Sequence, residues 1–571
     1  MKALILLAAL SVPAAAQDCA HPQLMVINGN ILTGKNLLTP NPERVTALVI
    51  NQGKITFAGT DAAVRAMPCQ SMNILDLHGA FAMPAFNDAH THLAEAGRQK
   101  TTVDLDGTTS VADMQSRIKS FAANVPAGQW VTGAGWDHTK WPSKTLPSRQ
   151  DLDAVTAGHP ALFGRTDGHI LVANTAALAA AGITSTTTAP AGGQIDHDPQ
   201  GTPTGIIRDT AMSLITKHVP PPTPDQRRTY LELAIHDVLA HGVTSIQDYS
   251  SWEDFLTLEQ MEHENNLKLR VSEWLTFGDP IETLKKQQAH HPQDDPLLHT
   301  AMLKGFMDGS LGSRTAALLA PYSDDAANSG LPRYDQKTLD KMTAERSEAG
   351  FQIGFHAIGD RANNMALTAF ERSDVSRMKL MKSILPQLQK SVGASMTVTL
   401  DERNRIEHAQ VLSPRDFDRF AKSHVIASMQ PSHLLSDMNW ATDRLGTTRA
   451  PYAYAWKSFL DHGVTLAFGT DYPVEGISPF RGLYAATTRM NEAGTATYQP
   501  QERLTIQQAI YAYTQAPAYA QKEEKLKGKL EPGYLADFVV LDRDITTASP
   551  QDLLHTTVVR TLLGGETVFT K

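Results

Sequence analysis

The sequence predicts an α/β fold: a distorted TIM (β/α)8 barrel with a β-sandwich built from both termini and an inserted subdomain. The middle of the chain alternates strand-like runs with helical segments, which is typical of a parallel sheet. Eight such runs can be counted, the number that closes a (β/α)8 barrel. Short alternating strands with closely spaced turn residues occur at both ends of the chain, so we expect the two ends to meet in one small sandwich.

The first residues differ in composition from the rest of the chain. The segment "MKALILLAALSVPAAAQ" combines one lysine, an apolar run and an Ala-x-Ala site, which predicts a signal peptide over residues 1–16, cut near Ala16. This run is too short to span a bilayer, and no other segment approaches about 20 apolar residues. We therefore expect an exported protein, periplasmic or extracellular, with no stable membrane anchor. In that setting Cys19 and Cys69 can form a disulfide, with two unpaired thiols as the alternative.

The two predicted parts of the sandwich span residues 17–83 and 525–571. The first part contains the strand-like segments "QLMVINGNILTG", "VTALVINQGKITFAGT" and "MNILDLHGAFAMP". The second contains "ADFVVLDRDI" and "VVRTLLGGETVFT", in which Gly564 and Gly565 indicate a hairpin turn.

Residues 84–524 hold the predicted barrel. Its strands, in chain order, are "AMPAFNDAHTHL", "GVTSIQDYS", "KLRVSEWLTF", "AMLKGFMDG", "FQIGFHAIGD", "NRIEHAQ", "VIASMQPSH" and "VTLAFGTDYPV". The first two lie too far apart for one crossover helix, so we predict an inserted subdomain at roughly residues 105–240. Glycine-rich loops in this insertion carry Trp136, His138, Asp167 and His169.

The charge balance excludes one class of partner. The chain has 571 residues with a formal net charge of −9 and no basic stripe, which argues against nucleic acid binding. We expect a small-molecule substrate, and the sequence leaves open whether the protein forms a homo-oligomer.

The stretch "FNDAHTHL" indicates a metal site. Residues i and i+2 of a strand point to the same face, so the imidazoles of His90 and His92 project together. Histidine is the commonest metal ligand, although two surface histidines are the simpler alternative. Other strands also end in ionisable groups, and a barrel gathers these ends at its mouth. The groups are Lys304, Asp308, His356, His408 and Asp471.

The motifs "NDAHTHL", "GFHAIGDRA", "RIEHAQ" and "FGTDYPV" resemble those of the amidohydrolase superfamily, in its YtcJ-like branch, which includes N-substituted formamide deformylase. The similarity extends to "RTDGHILVAN", "KGFMDGSLGSRTA", "SMQPSH" and "GYLADFVVLD". It implies a metal-dependent hydrolase with a distorted barrel and a sandwich built from both termini. It also implies metal-site positions at His90, His92, His356, His408 and Asp471.

The predicted chemistry is hydrolysis of a carbon–nitrogen bond, an amide or an N-acyl or N-formyl bond, in a small molecule. A divalent ion with an open coordination position lowers the pKa of water and polarises a carbonyl, giving a metal-activated hydroxide. Asp471 can accept the proton of the water and pass it to the departing nitrogen as general base and then general acid. Zinc is the first expectation, while iron and manganese also suit these ligands.

Lys304 has two interpretations. An ammonium ion at the mouth would repel a metal, so it could be solvated or pair with Asp308, leaving one ion. Alternatively, the neutral amine could react with carbon dioxide to give a carbamate that bridges two ions, as many amidohydrolases do from this strand.

Several other residues are candidates for substrate binding or for support of the ligands, against the alternative of local hydrogen bonds and salt bridges. They are Trp136, His138, His169, Arg208, Asp308, Arg314 and His433. We expect the charged segments "DERNRIE", "HPQDDP" and "KLKGK" to be solvated.

Two other functions are considered. The first is deamination of a heterocycle, for which related deaminases place a Glu three residues after the histidine of strand 5. Gly359 occupies that position and Asp360 follows it, which weakens this hypothesis. The second is a non-catalytic, metal-dependent binding protein, although such a protein would not need Asp471 beside four histidines.

Overall fold

The computed structural model of the chain describes residues 24–67, 73–166, 168–190, 193–392 and 402–571. The predicted signal peptide, both cysteines (Cys19 and Cys69) and Asp167 lie outside the described residues. Within the described residues, no helix has the length and apolar character that a membrane crossing requires.

The N-terminal region forms short strands around one helix, α1 (Asp61–Arg65). The strands are β1 (Leu24–Ile27), β2 (Asn30–Leu32), β3 (Arg44–Val45), β4 (Ala47–Asn51), β5 (Lys54–Gly59), β6 (Asn73–Asp76) and β7 (Phe81–Pro84). Four of them form a sheet in the order β5–β4–β1–β6. The β4–β5 hairpin turns at Gln52 and Gly53, both with positive φ, a conformation that glycine adopts without steric cost.

The first barrel strand, β8 (Phe86–Thr91), and helix α2 (Leu93–Lys100) precede the insertion. The insertion is a mixed sheet in the order β13–β14–β12–β11–β10–β9. Its strands are β9 (Val103–Asp104), β10 (Val131–Trp136), β11 (Ala161–Arg165), β12 (Ile170–Ala173), β13 (Gly193–His197) and β14 (Pro203–Asp209). Its helices are α3 (Val111–Ala122), α4 (Arg149–Asp153), α5 (Thr175–Ala180) and α6 (Ser213–Thr216), with 3₁₀ turns at His138–Lys140 and Thr210–Met212.

The insertion has hydrophobic cores of its own. Trp136, Phe163 and Ile118 are fully buried in one of them. Helix α7 (Pro224–Ala240), in contrast, shares the barrel's core through Leu231 and Val238. The inserted sheet therefore ends before α7, which belongs to the outer layer of the barrel.

The barrel strands pair in chain order, and each neighbouring pair is parallel. After β8 they are β15 (Val243–Asp248), β16 (Arg270–Thr276), β17 (Leu298–Phe306), β18 (Ile353–Ala357), β19 (Arg405–His408), β20 (Ile426–Met429) and β21 (Leu466–Phe468). A parallel bridge between Thr91 and Tyr472 links the two outer strands, so the barrel is nearly closed. The predicted fold class is confirmed, and each of the eight strand-like runs overlaps one of these strands, although β17 begins three residues before its run.

Helices connect the barrel strands and cover the barrel. They are α8 (Trp252–His263), α9 (Ile281–Gln288), α10 (Gln336–Glu348), α11 (Asp360–Val392), α12 (Asp416–Lys422), α13 (His433–Asp437), α14 (Ala441–Arg449), α15 (Trp456–Asp461), α16 (Pro479–Thr488), α17 (Ile506–Ala512) and α18 (Gln515–Ala520), with 3₁₀ turns at Ala450–Tyr452 and Pro500–Glu502.

The C-terminal strands complete the sandwich. After α18 come β22 (Phe538–Leu541), α19 (Pro550–Leu554), β23 (Val558–Leu563) and β24 (Glu566–Thr570). Strand β22 pairs antiparallel with β7, which gives a six-stranded sheet in the order β24–β23–β22–β7–β2–β3. Gly564 and Gly565 form the predicted hairpin turn with φ of 55° and 80°. Residues of both sheets, including Val26 and Phe538, share one buried core, so both termini build the sandwich.

The segment "KLKGK" departs from its prediction as a solvated face. Lys527 is only 5% exposed. Its ammonium lies 2.6 Å from Glu523 Oε2 and donates a hydrogen bond to Ser245 Oγ in β15. Because a buried ammonium needs a partner, this lysine is a packed part of the barrel.

Candidate metal centre

The ends of four barrel strands, β8, β18, β19 and β21, bring histidines and a carboxylate together at the mouth. His90 lies in β8, His356 in β18 and His408 at the end of β19. Their rings are close neighbours, with centroid distances of 5.0 Å between His90 and His408 and 4.6 Å between His356 and His408. His92 follows β8 directly, at 5.4 Å from the ring of His90, and Asp471 follows β21. The sequence therefore folds so that residues far apart in the chain share one small volume.

The backbone at two of these positions is unusual. His408 and Asp471 have φ of 72° and 60°, in the left-handed region that few residues other than glycine adopt. On β19, Arg405 and Glu407 point into the barrel, so strict strand alternation would turn the side chain of His408 outwards. The positive φ breaks that alternation and keeps the ring at the mouth. Such outliers cluster at functional sites because the surrounding structure must hold them in place.

Asp471 is the carboxylate around which the cluster is arranged. Its Oδ1 lies 3.2 Å from Nε2 of His92 and 3.5 Å from Nε2 of His90. His90, His408 and Asp471 each offer a ligand atom, and these atoms lie within 4.8 Å of one another. This spacing fits one cation held between them.

The hydrogen bonds of the two imidazoles show which nitrogen is available. Nδ1 of His90 lies 2.8 Å from Glu407 Oε2, and Nδ1 of His92 lies 3.0 Å from the carbonyl oxygen of Tyr249. Because those partners only accept, each Nδ1 carries a proton and each neutral ring presents a lone pair at Nε2. Both lone pairs face Asp471 Oδ1, a buried atom that accepts no hydrogen bond of good geometry from the described residues. Two ring nitrogens and a carboxylate oxygen converge on one point, and this set of donors fits a metal ion.

The protonation states agree with this interpretation. Burial lowers the pKa of His90 to about 4 and that of His356 to about 3, and it lowers the pKa of His408 well below its usual value. These rings are therefore neutral at pH 7, the form that binds metals. His92 differs, because its contact with Asp471 raises its pKa even though burial opposes this. Asp471 thus favours positive charge beside His92, which a metal ion would supply.

The residues that orient the ring of His90 lie in the segment "DERNRIE", which was predicted to be solvated. The prediction for "DERNRIE" was wrong, since Arg405 and Glu407 are 1% and 0% exposed. Arg405 donates to both Glu407 oxygens, at 2.6 and 3.1 Å, and to the carbonyl oxygen of Ala89 at 2.7 Å. Burial raises the pKa of Glu407, but Arg405 and His90 outweigh it and lower the pKa to about 2. Glu407 therefore stays ionised and fixes the ring of His90.

A signal for Arg405 and Glu407 was present in the sequence. They alternate with Ile406 on a strand predicted to lie inside a barrel, where both faces are buried. Two opposite charges at i and i+2 on such a strand point to the same face and can pair with each other there.

Lys304 reaches the same centre and is 1% exposed. Its Nζ lies 3.0 Å from Nε2 of His90 and rests over the rings of Trp274 and Phe306. Burial lowers the pKa of Lys304 to about 8. Lys304 thus contacts His90. The sequence-based alternative was that it pairs with Asp308.

Asp308 instead organises the backbone around His356. Its carboxylate accepts N–H groups of Ala317, Ile358 and Gly359 at 2.8 to 3.0 Å. Burial raises the pKa of Asp308 to about 7. Its Oδ1 lies 3.6 Å from Nε2 of His356, a ring nitrogen that also lies 3.2 Å from the carbonyl oxygen of Gly309. Because both contacts are at Nε2, Nδ1 of His356 is the nitrogen that could bind a metal ion.

His433 and Gln430 complete the wall next to His408. The rings of His433 and His408 are stacked at 5.9 Å, and His433 Nε2 lies 3.6 Å from Asp471 Oδ2. Gln430 Oε1 lies 2.8 Å from Nδ1 of His408 and fixes that ring, as Glu407 fixes His90. Apart from its place at a strand end, no signal in the sequence indicates Gln430.

The candidates in the insertion have local contacts. Trp136 is fully buried, its Nε1 donates to the carbonyl oxygen of Phe163, and the ring of His138 lies 6.0 Å from its own. His169 Nδ1 lies 3.0 Å from Asp209 Oδ1. These contacts link the residues to the inserted sheet rather than to the histidines at the mouth.

The two arginine candidates each form a two-pronged ion pair. Arg208 donates to Asp196 through Nε at 3.0 Å and Nη2 at 2.7 Å. Arg314, after β17, donates to Asp324 through Nε at 3.1 Å and Nη2 at 2.9 Å. Both guanidinium groups therefore have carboxylate partners next to them.

Comparison with known proteins agrees with this geometry. The profile of the Amidohydrolase family matches residues 73–569. A Bacillus subtilis (strain 168) protein, YtcJ, whose name assigns it provisionally to the amidohydrolases, is 30% identical over 93% of this chain and 97% of its own length. N-substituted formamide deformylase of Arthrobacter pascens is 25% identical over 95% of this chain and 97% of its own.

A solved structure supports the same assignment. The crystal structure of an uncharacterized metal-dependent hydrolase from Pyrococcus horikoshii OT3 superposes with a TM-score of 0.73 at 29% identity, covering 92% of this chain and 99% of that one. The agreement thus extends through barrel, sandwich and insertion. The chain belongs to the amidohydrolase family, a family of metal-dependent hydrolases, in its YtcJ-like branch.

Proposed function

We propose that the protein hydrolyses a carbon–nitrogen bond, an amide or an N-acyl or N-formyl bond, in a small molecule. The observation that carries this proposal is the convergence of the Nε2 atoms of His90 and His92 on Asp471 Oδ1. The similarity to N-substituted formamide deformylase supports the bond type. With His356 and His408, these residues would hold a divalent ion, for which zinc suits a nitrogen and oxygen ligand set with an open position.

The bound ion would supply a water of lowered pKa and polarise the carbonyl of the substrate. The chain's own contribution is proton transfer by Asp471. Burial raises the pKa of this carboxyl, but His90 and His92 outweigh it and lower the pKa well below its usual range. As a carboxylate, Asp471 can accept a proton from the attacking water and deliver it to the leaving nitrogen, which departs poorly unless protonated. His433, 3.6 Å from Oδ2, is placed to orient the substrate beside that carboxylate.

Gly359 argues against the deaminase alternative. A Cβ at this position would lie 2.0 Å from the carbonyl oxygen of Ala317, so a Glu cannot be accommodated there without moving the backbone. The carboxylate of Asp360, the next residue, already accepts the N–H of Leu319 at 2.8 Å. The chain therefore lacks an acid at the position from which related deaminases shuttle protons.

A turnover assay distinguishes the three functions. The protein is stripped with a chelator, reloaded with zinc, iron or manganese, and incubated with N-formyl amines, N-acyl amines and amino-substituted heterocycles. We expect formate or carboxylate release that depends on metal. Ammonia release from a heterocycle would favour deamination, and metal-dependent binding of these compounds without any turnover would favour a binding protein.

We further propose that Lys304 carries a carbamate that bridges two ions. Its buried Nζ, with a pKa lowered to about 8, has more of the neutral amine at pH 7 than an ordinary lysine. That amine would attack carbon dioxide, form an N–C bond and release one proton. The side chain would then carry the negative charge of a carbamate in place of the positive charge of an ammonium ion. Protein supplied with ¹³C-bicarbonate and metal should give a carbamate carbon signal that Lys304→Ala lacks. No such signal in the active parent protein would leave a single-ion centre.

Export is part of the proposal and rests on the first residues of the sequence. Sequencing the N-terminus of the protein recovered from its host should place the cut near Ala16. Thiol titration of the unfolded, unreduced protein tests the disulfide, since two free thiols would exclude a bond between Cys19 and Cys69.

A further inference from the structure

A second group of histidines and carboxylates lies outside the barrel, at the end opposite to the mouth. His291 and Asp295 lie in the turn between α9 and β17, before the strand begins, and Glu262 is near the end of α8. The segment "HPQDDP" was predicted to be solvated, and that prediction was wrong for its histidine. His291 is only 7% exposed. The proposed function makes no use of this group.

The orientation of the His291 ring is fixed from two sides. Its Nδ1 lies 3.0 Å from Glu259 Oε1, and Phe255 packs against it in a T-shaped contact with a centroid distance of 5.9 Å. Since the carboxylate only accepts, Nδ1 carries the proton and a neutral ring presents a lone pair at Nε2. A carboxylate that orients a histidine in this way is common behind metal ligands.

The other ring nitrogen points at two more carboxylates. Nε2 of His291 lies 3.3 Å from Glu262 Oε2 and 3.9 Å from Asp295 Oδ2, yet it is buried and forms no hydrogen bond in the described part of the chain. Asp295 is held in this orientation because its Oδ1 accepts the N–H of Leu297 at 2.7 Å. Burial and the charge of Asp295 raise the pKa of Glu262, as expected where negative charge is not balanced.

The distance of 3.3 Å from His291 to Glu262 matches that between two ligands of one small ion, and the ligand atoms of all three residues lie within 4.8 Å of one another. Two atoms bound to zinc at about 2.0–2.1 Å with a tetrahedral angle lie about 3.3 Å apart. One nitrogen and two carboxylate oxygens form three of the four positions of such an ion. The side chain of Asp295 is 29% exposed, so water can enter and occupy the fourth.

We propose that His291, Glu262 and Asp295 bind a second divalent transition-metal ion of the zinc type, with Glu259 orienting the histidine. A nitrogen ligand disfavours calcium and magnesium, which take oxygen ligands. The site joins the end of α8 to the turn before β17 on the face of the barrel that serves stability rather than catalysis. Its ion is structural and is independent of the ion at the mouth.

Crystals grown with zinc at a low, buffered free concentration test the proposal. An anomalous difference peak at the zinc edge is expected between His291 Nε2, Glu262 and Asp295, in addition to density at the mouth. In solution, Glu262→Gln and Asp295→Asn should each bind one equivalent of zinc less than the parent protein. The matched control is His290→Gln, because His290 contacts the same Glu259 at 3.0 Å but, among the described residues, does not belong to the converging group of His291, Glu262 and Asp295. This control should lose no zinc.

A thermal readout separates this site from the mouth. Zinc should raise the melting temperature of the stripped parent protein by more than that of Glu262→Gln, while turnover of the two is the same. Equal zinc content in parent and Glu262→Gln, with no anomalous peak, would overturn the proposal and indicate a protonated His291 among three carboxylates. The measurements do not depend on turnover, so failure of the proposed hydrolase activity would not affect their outcome.

Discussion

The barrel mouth and the inserted sheet contain the same kinds of residue, yet they use them differently. In the insertion, Arg208 faces Asp196 with two hydrogen bonds, and each donor meets an acceptor. At the mouth, the Nε2 lone pairs of His90 and His92 face a carboxylate oxygen, and acceptors meet acceptors. The first arrangement is satisfied by itself, whereas the second gathers acceptors around one point and favours positive charge there, from the Lys304 ammonium, a proton or a metal ion.

This difference shows what distinguishes a metal centre from a polar loop. Residue type alone does not, because His169 pairs with Asp209 at 3.0 Å much as His92 contacts Asp471 at 3.2 Å. What marks the mouth is that two rings face one carboxylate oxygen, and that a third residue fixes the proton on the far side of each ring. Glu407 does this for His90, and the carbonyl oxygen of Tyr249 does it for His92.

The largest effect is expected from replacing the carboxylate at the mouth. Asp471→Asn keeps the size of the side chain but removes the proton acceptor and a negative charge. We expect kcat/KM to fall by about 100- to 10,000-fold, the range for loss of a general acid–base group. Steady-state kinetics on any substrate that the parent hydrolyses measures this loss.

Asp209→Asn is the matched control in the insertion. Asp209 also contacts a histidine, but its side chain is 39% exposed. We expect turnover to change by no more than about twofold, as for most surface substitutions. Near-parental activity of Asp471→Asn, or a loss of similar size in both variants, would remove the contrast between the two regions.

The second prediction concerns pH and the stability of the stripped protein. Burial lowers the pKa of His90 to about 4, whereas an unfolded chain has the ordinary value of 6.5. The unfolded state therefore binds a proton first as the pH falls. The contribution of His90 is complete above pH 6.5 and is lost between pH 6.5 and pH 4. Full loss is on the order of 3 kcal/mol.

Urea unfolding at a series of pH values measures this contribution. The free energy of unfolding of His90→Gln should fall less between pH 7 and pH 4 than that of the parent protein. Parallel pH profiles would mean that His90 is not held neutral, which contradicts the lone pair assigned to its Nε2.

The sequence predicted the residues that cluster at the mouth better than the residues that orient them. Strand ends in a parallel barrel meet at one edge, so the clustering of His90, His408 and Asp471 follows from the order of eight strands. Arg405 and Glu407 on a strand inside a barrel indicate an ion pair, but the role of Glu407 in orienting His90 could not be read from that pattern. That role depends on Arg405 pairing with Glu407 inside the barrel, and a charged segment normally indicates solvent.

The group at His291 shows the same limit on the outer side of the barrel. "HPQDDP" is polar and contains two prolines, so its composition indicates a loop. Burial of His291 is produced by Phe255 and Glu259 on α8, which a local pattern in the sequence does not reveal.

The third prediction tests the support beneath His90. Glu407→Gln keeps the shape of the side chain but removes the charge that favours a proton on Nδ1. Loss of such an orienting partner typically costs about 10- to 100-fold in metal affinity or activity. Competition with a chelating dye measures the affinity. Glu402→Gln, in the same segment but paired with Ser347 and Arg377, is the control and should bind metal as the parent does.

The smallest effect is expected in the insertion, at Arg208. The side chains of Arg208 and Asp196 are 27% and 20% exposed, and ion pairs open to solvent contribute up to about 1 kcal/mol. Arg208→Met should therefore lower the free energy of unfolding by less than about 1 kcal/mol and leave KM within about twofold. Asp196→Asn separates the two roles of the arginine, because it weakens the ion pair and keeps the guanidinium. If Arg208→Met raised KM tenfold while Asp196→Asn did not, Arg208 would contact the substrate. The inserted sheet would then be part of the active site, and the contrast with the mouth would apply to metal binding alone.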